Sequence, residues 1–211
     1  MRIVYCSSGA VGRDMMSYLY SIPGEFQVVA AYTANDPIRS YPAYDLGVSF
    51  LYTHKIHAEH VTAHEWVNFH PGPLPEMRGR NLAYHAIIEK RKEFGATIHY
   101  MDASFDTGDI IECRRFPILD ADNAGDLVIK SRAVLADLFM EYMPRIIAGE
   151  DLPVIKQGEG NYYMRDYIGD EIELSDEQQL MIRAVTVPGK FYARALVGGV
   201  EYRIVPQVRN G

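Results

Sequence analysis

VNFHPGPLPEMRGRN, residues 67–81, is the stretch that the rest of the chain is arranged to position. Its first four residues close a β-rich run, residues 65–70, and Pro71 ends that run, because proline lacks the ladder N–H and turns the preceding residue away from helix. Alternate side chains of a strand share a face. Asn68 and His70 therefore point one way, while Val67 and Phe69 take the opposite face into the core. An amide and an imidazole then stand side by side at a strand end. Pro71, Pro73 and Pro75 are expected to hold the following segment extended, and Arg78, Gly79 and Arg80 lead to a helix starting near Asn81, a good N-cap residue. A rigid loop over a strand end is where open α/β sheets keep their ligands.

Working outward, residues 1–6 form a continuous apolar-leaning run ending at Ser7-Ser8-Gly9, followed by helix-like spacing over residues 11–20, which reads as a first βα unit. The turn lacks GxGxxG spacing and reads as an ordinary βα connection. Residues 26–32 predict a second strand and residues 46–52 a third, with a proline-bearing loop over 36–44. Beyond the central stretch, residues 82–93 are amphipathic, with Gly95 expected to close the helix before a strand over 96–101. That strand places Thr97 and His99 on one face. Residues 102–109 are turn-rich, and residues 110–118 predict an edge strand carrying Glu112, Arg114 and Arg115. Asp122 or Asn123 can cap a long helix running to Ile147 and ending at Gly149. After Pro153 comes an aromatic, mixed-charge stretch, Tyr162 to Tyr167. Ser175 with Gln178 three residues on then opens a short helix, and residues 191–195 and 200–205 read as strands joined at Gly198-Gly199. The alternation indicates an α/β fold: a Rossmann-like, mostly parallel twisted sheet flanked by helices, residues 1–155, with a small C-terminal α+β extension, residues 156–211.

The 211 residues suit one domain with a small appendage, and a 48% hydrophobic content can fill its core. A formal net charge of −7 gives no electrostatic footprint for gripping a long polyphosphate, which argues against tRNA or DNA as partner. Cys6 and Cys113 are too few for a disulfide framework. No charged segment followed by an apolar leader opens the sequence, and no apolar run approaches membrane-spanning length, so the expectation is a soluble cytoplasmic protein. His54, His57, His60 and His64 carry spacings that could place imidazoles along one side of a helix, as a metal site needs. Matching carboxylate or cysteine partners are absent apart from Glu59 and Glu65, and no metal is expected. The hairpin is too small to bury its own apolar face and should pack on the main domain or on a second copy, so a homodimer is expected.

Asn68-Phe69-His70-Pro71 with Leu74-Pro75 and Arg78-Gly79, together with Asp106-Thr107-Gly108-Asp109, resembles the signature of the folate-dependent formyltransferases. That group includes methionyl-tRNA formyltransferase, glycinamide ribonucleotide transformylase and the sugar N-formyltransferases. The likeness runs from about residue 61 to 117 and more faintly over 162–205. It implies 10-formyltetrahydrofolate as formyl donor and Asn68, His70 and Asp106 as catalytic residues: an oxyanion donor, a proton shuttle and the carboxylate that holds the shuttle. It also implies that Tyr52, Thr53, His54, Lys55 and Ile56, with Asp102 and Asp106, lie against the folate. Pro71, Arg78, Arg80, Asn81 and Tyr162 are the acceptor-binding candidates, the arginines because a guanidinium matches phosphate geometry. His85 and His99 read as core or supporting groups. The aromatic stretch from Tyr162 and the Gly79-Arg80-Asn81 run look most like the sugar enzymes, whose acceptor is a nucleotide-linked amino deoxy sugar. A glycinamide ribonucleotide or methionyl-tRNA type transferase, a formyltetrahydrofolate hydrolase and a non-catalytic folate-binding module remain the alternatives.

Overall fold

The structure, a computed structural model, describes residues 1–34, 40–164, 174–185, 193–197 and 199–204. Two compact units are present: Met1–Ile118 with Asp122–Asp166, and Leu119–Ala121 with Tyr167–Gly211. Within the first unit Tyr162 and Tyr163 pair in parallel with Arg78 and Gly79.

In chain order the first unit runs β1 (Arg2–Ser7), α1 (Gly9–Leu19), β2 (Gln27–Thr33), β3 (Leu46–Phe50), α2 (Ala58–Ala63), β4 (Glu65–His70), β5 (Arg78–Gly79), α3 (Leu82–Ile88), β6 (Glu93–Tyr100), β7 (Ile110–Pro117), α4 (Ala124–Ile147) and β8 (Tyr162–Tyr163). Six strands form one sheet in the order β2-β1-β3-β4-β6-β7. The first four are mutually parallel, and β6 and β7 are added antiparallel, so the mostly parallel α/β fold read from the sequence is what forms. The two directions of β1 side chains explain its unbroken apolar run. Ile3 and Tyr5 join one core with Met15 and Leu19 of α1 and Leu135, Leu138, Phe139 and Met143 of α4, whereas Val4 and Cys6 face a second core with Val61 and Trp66. Each large apolar side chain buried this way contributes about 1.5–3 kcal/mol. Val67 and Phe69 of β4 belong to the first core. Asn68 and His70 are thereby left on the other face.

Several local readings hold. Asn123 caps α4 in a reciprocal box with Asp126, and Gly149 follows the helix at φ 71. Strand β7 is an edge strand as expected. Three expectations do not hold. The helix predicted over 82–93 stops at Ile88, because Lys90 takes a left-handed φ of 54 and the Arg91 N–H returns to the Ala86 carbonyl. Gly95 closes no helix; it lies within β6, where a Cβ would collide with the Arg114 backbone of the paired strand. The segment after Pro71 is also folded back instead of extended: the Gly72 N–H bonds the His70 carbonyl at 2.9 Å, the Met77 N–H bonds the Pro73 carbonyl at 2.9 Å, and Leu74-Pro75 is cis.

The second unit contains α5 (Asp176–Val185) and a hairpin of β9 (Arg194–Val197) and β10 (Val200–Arg203). The expected capping box opens α5, with the Ser175 N–H on Gln178 Oε1 at 2.9 Å and the Gln178 N–H on Ser175 Oγ at 3.2 Å. Strand β9 begins later than the expected residue 191, and Phe191, Tyr192, Gly198 and Val205 lie outside the described residues. Gly199 supplies a φ of 83 at the turn. No helix among the described residues is long and apolar enough to cross a membrane.

Gly47 of β3 packs against the indole of Trp66, so that an added Cβ would collide with its Cδ2. Overpacking of this kind costs about 1–3 kcal/mol. Gly47→Ala is expected to lower the urea midpoint accordingly, whereas Ile88→Ala, on the surface, should change stability by less than about 0.5 kcal/mol.

Candidate active site

The site forms where β4 ends. Antiparallel pairing sets Asn68 opposite His99 and His70 opposite Thr97 across β4 and β6. Thr97 fastens the proline-rich loop: its hydroxyl donates to the Gly72 carbonyl at 2.8 Å and accepts from the Leu74 N–H at 3.1 Å. His99 fixes the amide. Its Nδ1–H donates to the Tyr100 carbonyl at 2.7 Å, which leaves Nε2 as the acceptor for Asn68 Nδ2 at 3.0 Å. One Asn68 N–H is held by this bond, and the second points away from it.

His70 is buried at the strand end, 3% exposed, and both of its ring nitrogens face oxygens. Nε2 donates to the Met77 carbonyl at 2.8 Å, and Nδ1 lies 3.4 Å from Asp106 Oδ1. Asp106 has a left-handed φ of 56, and its other carboxylate oxygen accepts from the Gly79 N–H at 2.9 Å. The same Asp106 Oδ1 is 3.8 Å from His99 Nε2. The fold therefore brings Asn68, His70 and Asp106 together, with His99 holding the amide. Sequence reading counted His99 only as a core or supporting group; its place opposite Asn68 depends on strand register, which no local pattern discloses.

The other candidates divide. Asp102 accepts from the Ser104 N–H at 3.0 Å and from the Thr107 hydroxyl at 2.6 Å, closing the loop that presents Asp106. Lys55 Nζ stands 5.4 Å from the Phe105 ring centroid, which places the 52–56 segment beside that loop. Within the segment, Ile56 is buried, Thr53 is exposed, the Tyr52 ring lies 5.4 Å from that of His54, and His54 Nε2 donates to the Ala34 carbonyl at 2.6 Å. Pro71 is half-buried and opens the folded-back loop. Tyr162 reaches the same rim, its ring 6.4 Å from Phe105. Arg80 is exposed, with its N–H on the Tyr163 carbonyl at 2.9 Å. Asn81 precedes α3 in a left-handed conformation, φ 55, and its side chain makes no capping bond to the helix, contrary to the capping role expected of it. Arg78 is tied to the segment after α4: Nε and Nη2 are bonded to Gln157 Oε1 at 3.2 and 2.9 Å, and Nη2 also reaches the Gly158 carbonyl.

Two members of the histidine cluster pack on aromatic rings. Only His60 lies inside α2; its ring is tilted against Tyr41 with centroids 3.8 Å apart, and His64 is tilted against Tyr44 at 4.2 Å. Among the described residues, no group of three or more His, Cys, Asp or Glu side chains is gathered as a metal ion would require.

The arrangement is that of an α/β domain carrying an Asn-His-Asp polar cluster at the carboxyl end of a central parallel strand. Residues 43–142, which span all three side chains, match the family model described as formyl transferase. The resemblance read from the two motifs is borne out. The methionyl-tRNA formyltransferase of Listeria welshimeri is 34% identical over 103 residues, 49% of this chain and 33% of that protein. The chain spans about a third of the length of such curated relatives. Among solved structures, a 4-N formyltransferase from Francisella tularensis is similar with a TM-score of 0.69 at 23% identity, over 99% of this chain and 98% of that one. The formyltransferase PseJ from Anoxybacillus kamchatkensis, in complex with UDP-4,6-dideoxy-4-formamido-L-AltNAc and tetrahydrofolate, has a TM-score of 0.63 at 23% identity, over 90% and 93% of the two chains. At such identities these likenesses concern the fold.

The pH behaviour of the site follows from His99. Burial pushes its basicity down from the ordinary 6.5 to about 4, with neighbouring Asp106 opposing that fall and His70 adding to it. Between those values the unfolded chain binds a proton that the folded ring refuses. The folded state is thus favoured fully above about pH 6.5 and loses this contribution as pH falls toward 4. The urea midpoint should drop over that interval, and His99→Gln should flatten the drop while still offering Asn68 an acceptor.

Proposed function

We propose that the chain transfers a formyl group from 10-formyltetrahydrofolate to the amine of a nucleotide-linked amino deoxy sugar, acting in the cytoplasm. The observation that carries this reading is the locked Asn68 amide beside the His70–Asp106 pair. The acceptor amine attacks the formyl carbon and the carbonyl oxygen becomes an oxyanion. The Asn68 N–H not held by His99 donates to that oxygen, a contribution worth about 3 kcal/mol in comparable sites. Collapse of the tetrahedral intermediate breaks the bond to the folate nitrogen. One proton moves from the attacking nitrogen to the departing one. His70 carries it, and Asp106, 3.4 Å away, stabilises the charged ring during the transfer.

The folate is assigned to the rim formed by residues 52–56, Asp102 and Asp106, and the acceptor to Pro71, Arg80, Asn81 and Tyr162. Arg78 passes from phosphate binding to a role within the scaffold. The sugar acceptor is supported by the similarity, over 90% of this chain, to the Anoxybacillus formyltransferase in complex with a UDP-linked formamido sugar and by the net charge of −7, which suits a substrate with two phosphates held by a few local groups better than a polynucleotide. The relationship to the Listeria tRNA enzyme supports a second reading with charged initiator tRNA as acceptor.

The test is release of tetrahydrofolate from 10-formyltetrahydrofolate with a panel of nucleotide-linked amino sugars, and with charged tRNA, at about 50 and 200 mM salt. Sugar-dependent release with a shallow salt dependence is expected; efficient tRNA formylation that weakens ~10³-fold or more over that range would replace this reading with the second. Release without any amine would indicate a hydrolase. His70→Ala and Asn68→Ala should each lower turnover by about 10²-fold or more with the fold retained. Most of the turnover surviving in a folded His70→Ala chain would remove the shuttle from the mechanism.

We also propose a homodimer built on the hairpin of the second unit. A two-stranded ribbon is marginal alone, and Leu196 of β9 and Tyr202 of β10 are exposed. Light scattering at micromolar concentration should report twice the chain mass, and Leu196→Asp should return the monomer.

A further inference from the structure

Gln157 lies far in sequence from both motifs, yet its side chain joins them. Its Nε2 donates to the Asp106 carbonyl at 3.0 Å and to the Gly108 carbonyl at 2.6 Å. Its Oε1 accepts from Arg78 Nε and Nη2 at 3.2 and 2.9 Å. Both amide hydrogens and the amide oxygen are thus committed, and the groups they bind come from two separate stretches of the site. One is the loop bearing Asp106, whose left-handed backbone a non-glycine residue keeps only where its surroundings hold it. The other is β5, whose Gly79 N–H is the donor on Asp106 Oδ2 at 2.9 Å. Pairing with β8 holds β5 from its far side, and Gly79 is required there because a Cβ would collide with the Tyr163 carbonyl.

We propose that Gln157 is the positioning residue that holds the Asp106 carboxylate against His70, and that it governs the proton-transfer step and not the binding of either substrate. Only an amide fits the role. Two carbonyls must receive N–H bonds from the same group that accepts from a guanidinium; a carboxylate supplies the acceptor alone, and an apolar chain supplies neither. The kinetic consequence rests on the formyl-transfer reading, whereas the structural consequence at His70 does not.

The experiment compares Gln157→Met, which keeps length and loses every bond, with Gln157→Glu, which keeps the acceptor for Arg78 and loses both donors. Asp106→Asn serves as reference. The ¹⁵N signals of the His70 ring are recorded at one fixed pH in each chain, with circular dichroism as the check on folding. Both Gln157 variants are expected to shift the Nδ1 signal in the direction of Asp106→Asn. Turnover should fall by about 10²-fold, the usual effect of a group displaced by an ångström, with the KM for donor and acceptor within about twofold of the parent. Wild-type His70 signals in the two variants would overturn the proposal, as would a raised KM with unchanged turnover. Failure of both variants to fold would also overturn it, making Gln157 a stability residue. Absence of any formyl transfer by the parent chain would defeat the activity reading alone, and the His70 signals would still decide the role of Gln157.

Discussion

The register of β4 against β6 is the constraint from which the site follows. A side chain changes face with every residue, so a slip of one position would carry Asn68 and His70 into the apolar core and bring Val67 and Phe69 out of it. The core forbids that slip. Val67 and Phe69 pack in the same cluster as Ala96 and Ile98 of the partner strand, all of them fully buried. With that face committed, Asn68 must stand opposite His99 and His70 opposite Thr97. The hydrophobic side of the sheet thus chooses the polar partners on its other side.

Burial then makes those polar partners interdependent. A group removed from water without a hydrogen bond is costly, and the cost rises in a low-dielectric surrounding. His99 meets this by remaining neutral, with a carbonyl on one nitrogen and the Asn68 amide on the other. His70 faces a carbonyl and a carboxylate, and the carboxylate is itself tied to the Gly79 N–H. A cluster satisfied in this way has little freedom to reorient. Such fixed donors are the condition under which an oxyanion is stabilised without reorganisation during the reaction.

Where local chemistry decides, the chain is readable residue by residue. The capping boxes at Asn123 and Ser175, the stop at Gly149 and the apolar run of β1 each follow from neighbours a few positions apart. Reading failed where a distant segment intervenes. The amphipathic pattern after Leu82 continues past Ile88, but the chain must turn at Lys90 to deliver Phe94 and Gly95 into a strand whose neighbour, Arg114, leaves no room for a Cβ. Nothing beside Arg78 in the chain discloses that the segment after α4 supplies Gln157 and the Gly158 carbonyl as its partners. Asn81 had the right side chain for a cap and the wrong backbone for one.

The sequence by itself determined the α/β class, the strand end at His70, the pairing of Asn68 and His70 on one face, and the match of residues 43–142 to the formyl transferase family model. These are consequences of proline, of period-two alternation and of two short motifs, all of which act over a few residues. The tertiary structure alone decided that His99 locks the amide, that the Gly79 N–H and His70 share the Asp106 carboxylate, and that Gln157 ties the two motifs together. Those contacts join residues 27 to 79 positions apart. They form only when the packing of the core has brought the segments within hydrogen-bonding distance, and one sequence read locally carries no record of that approach.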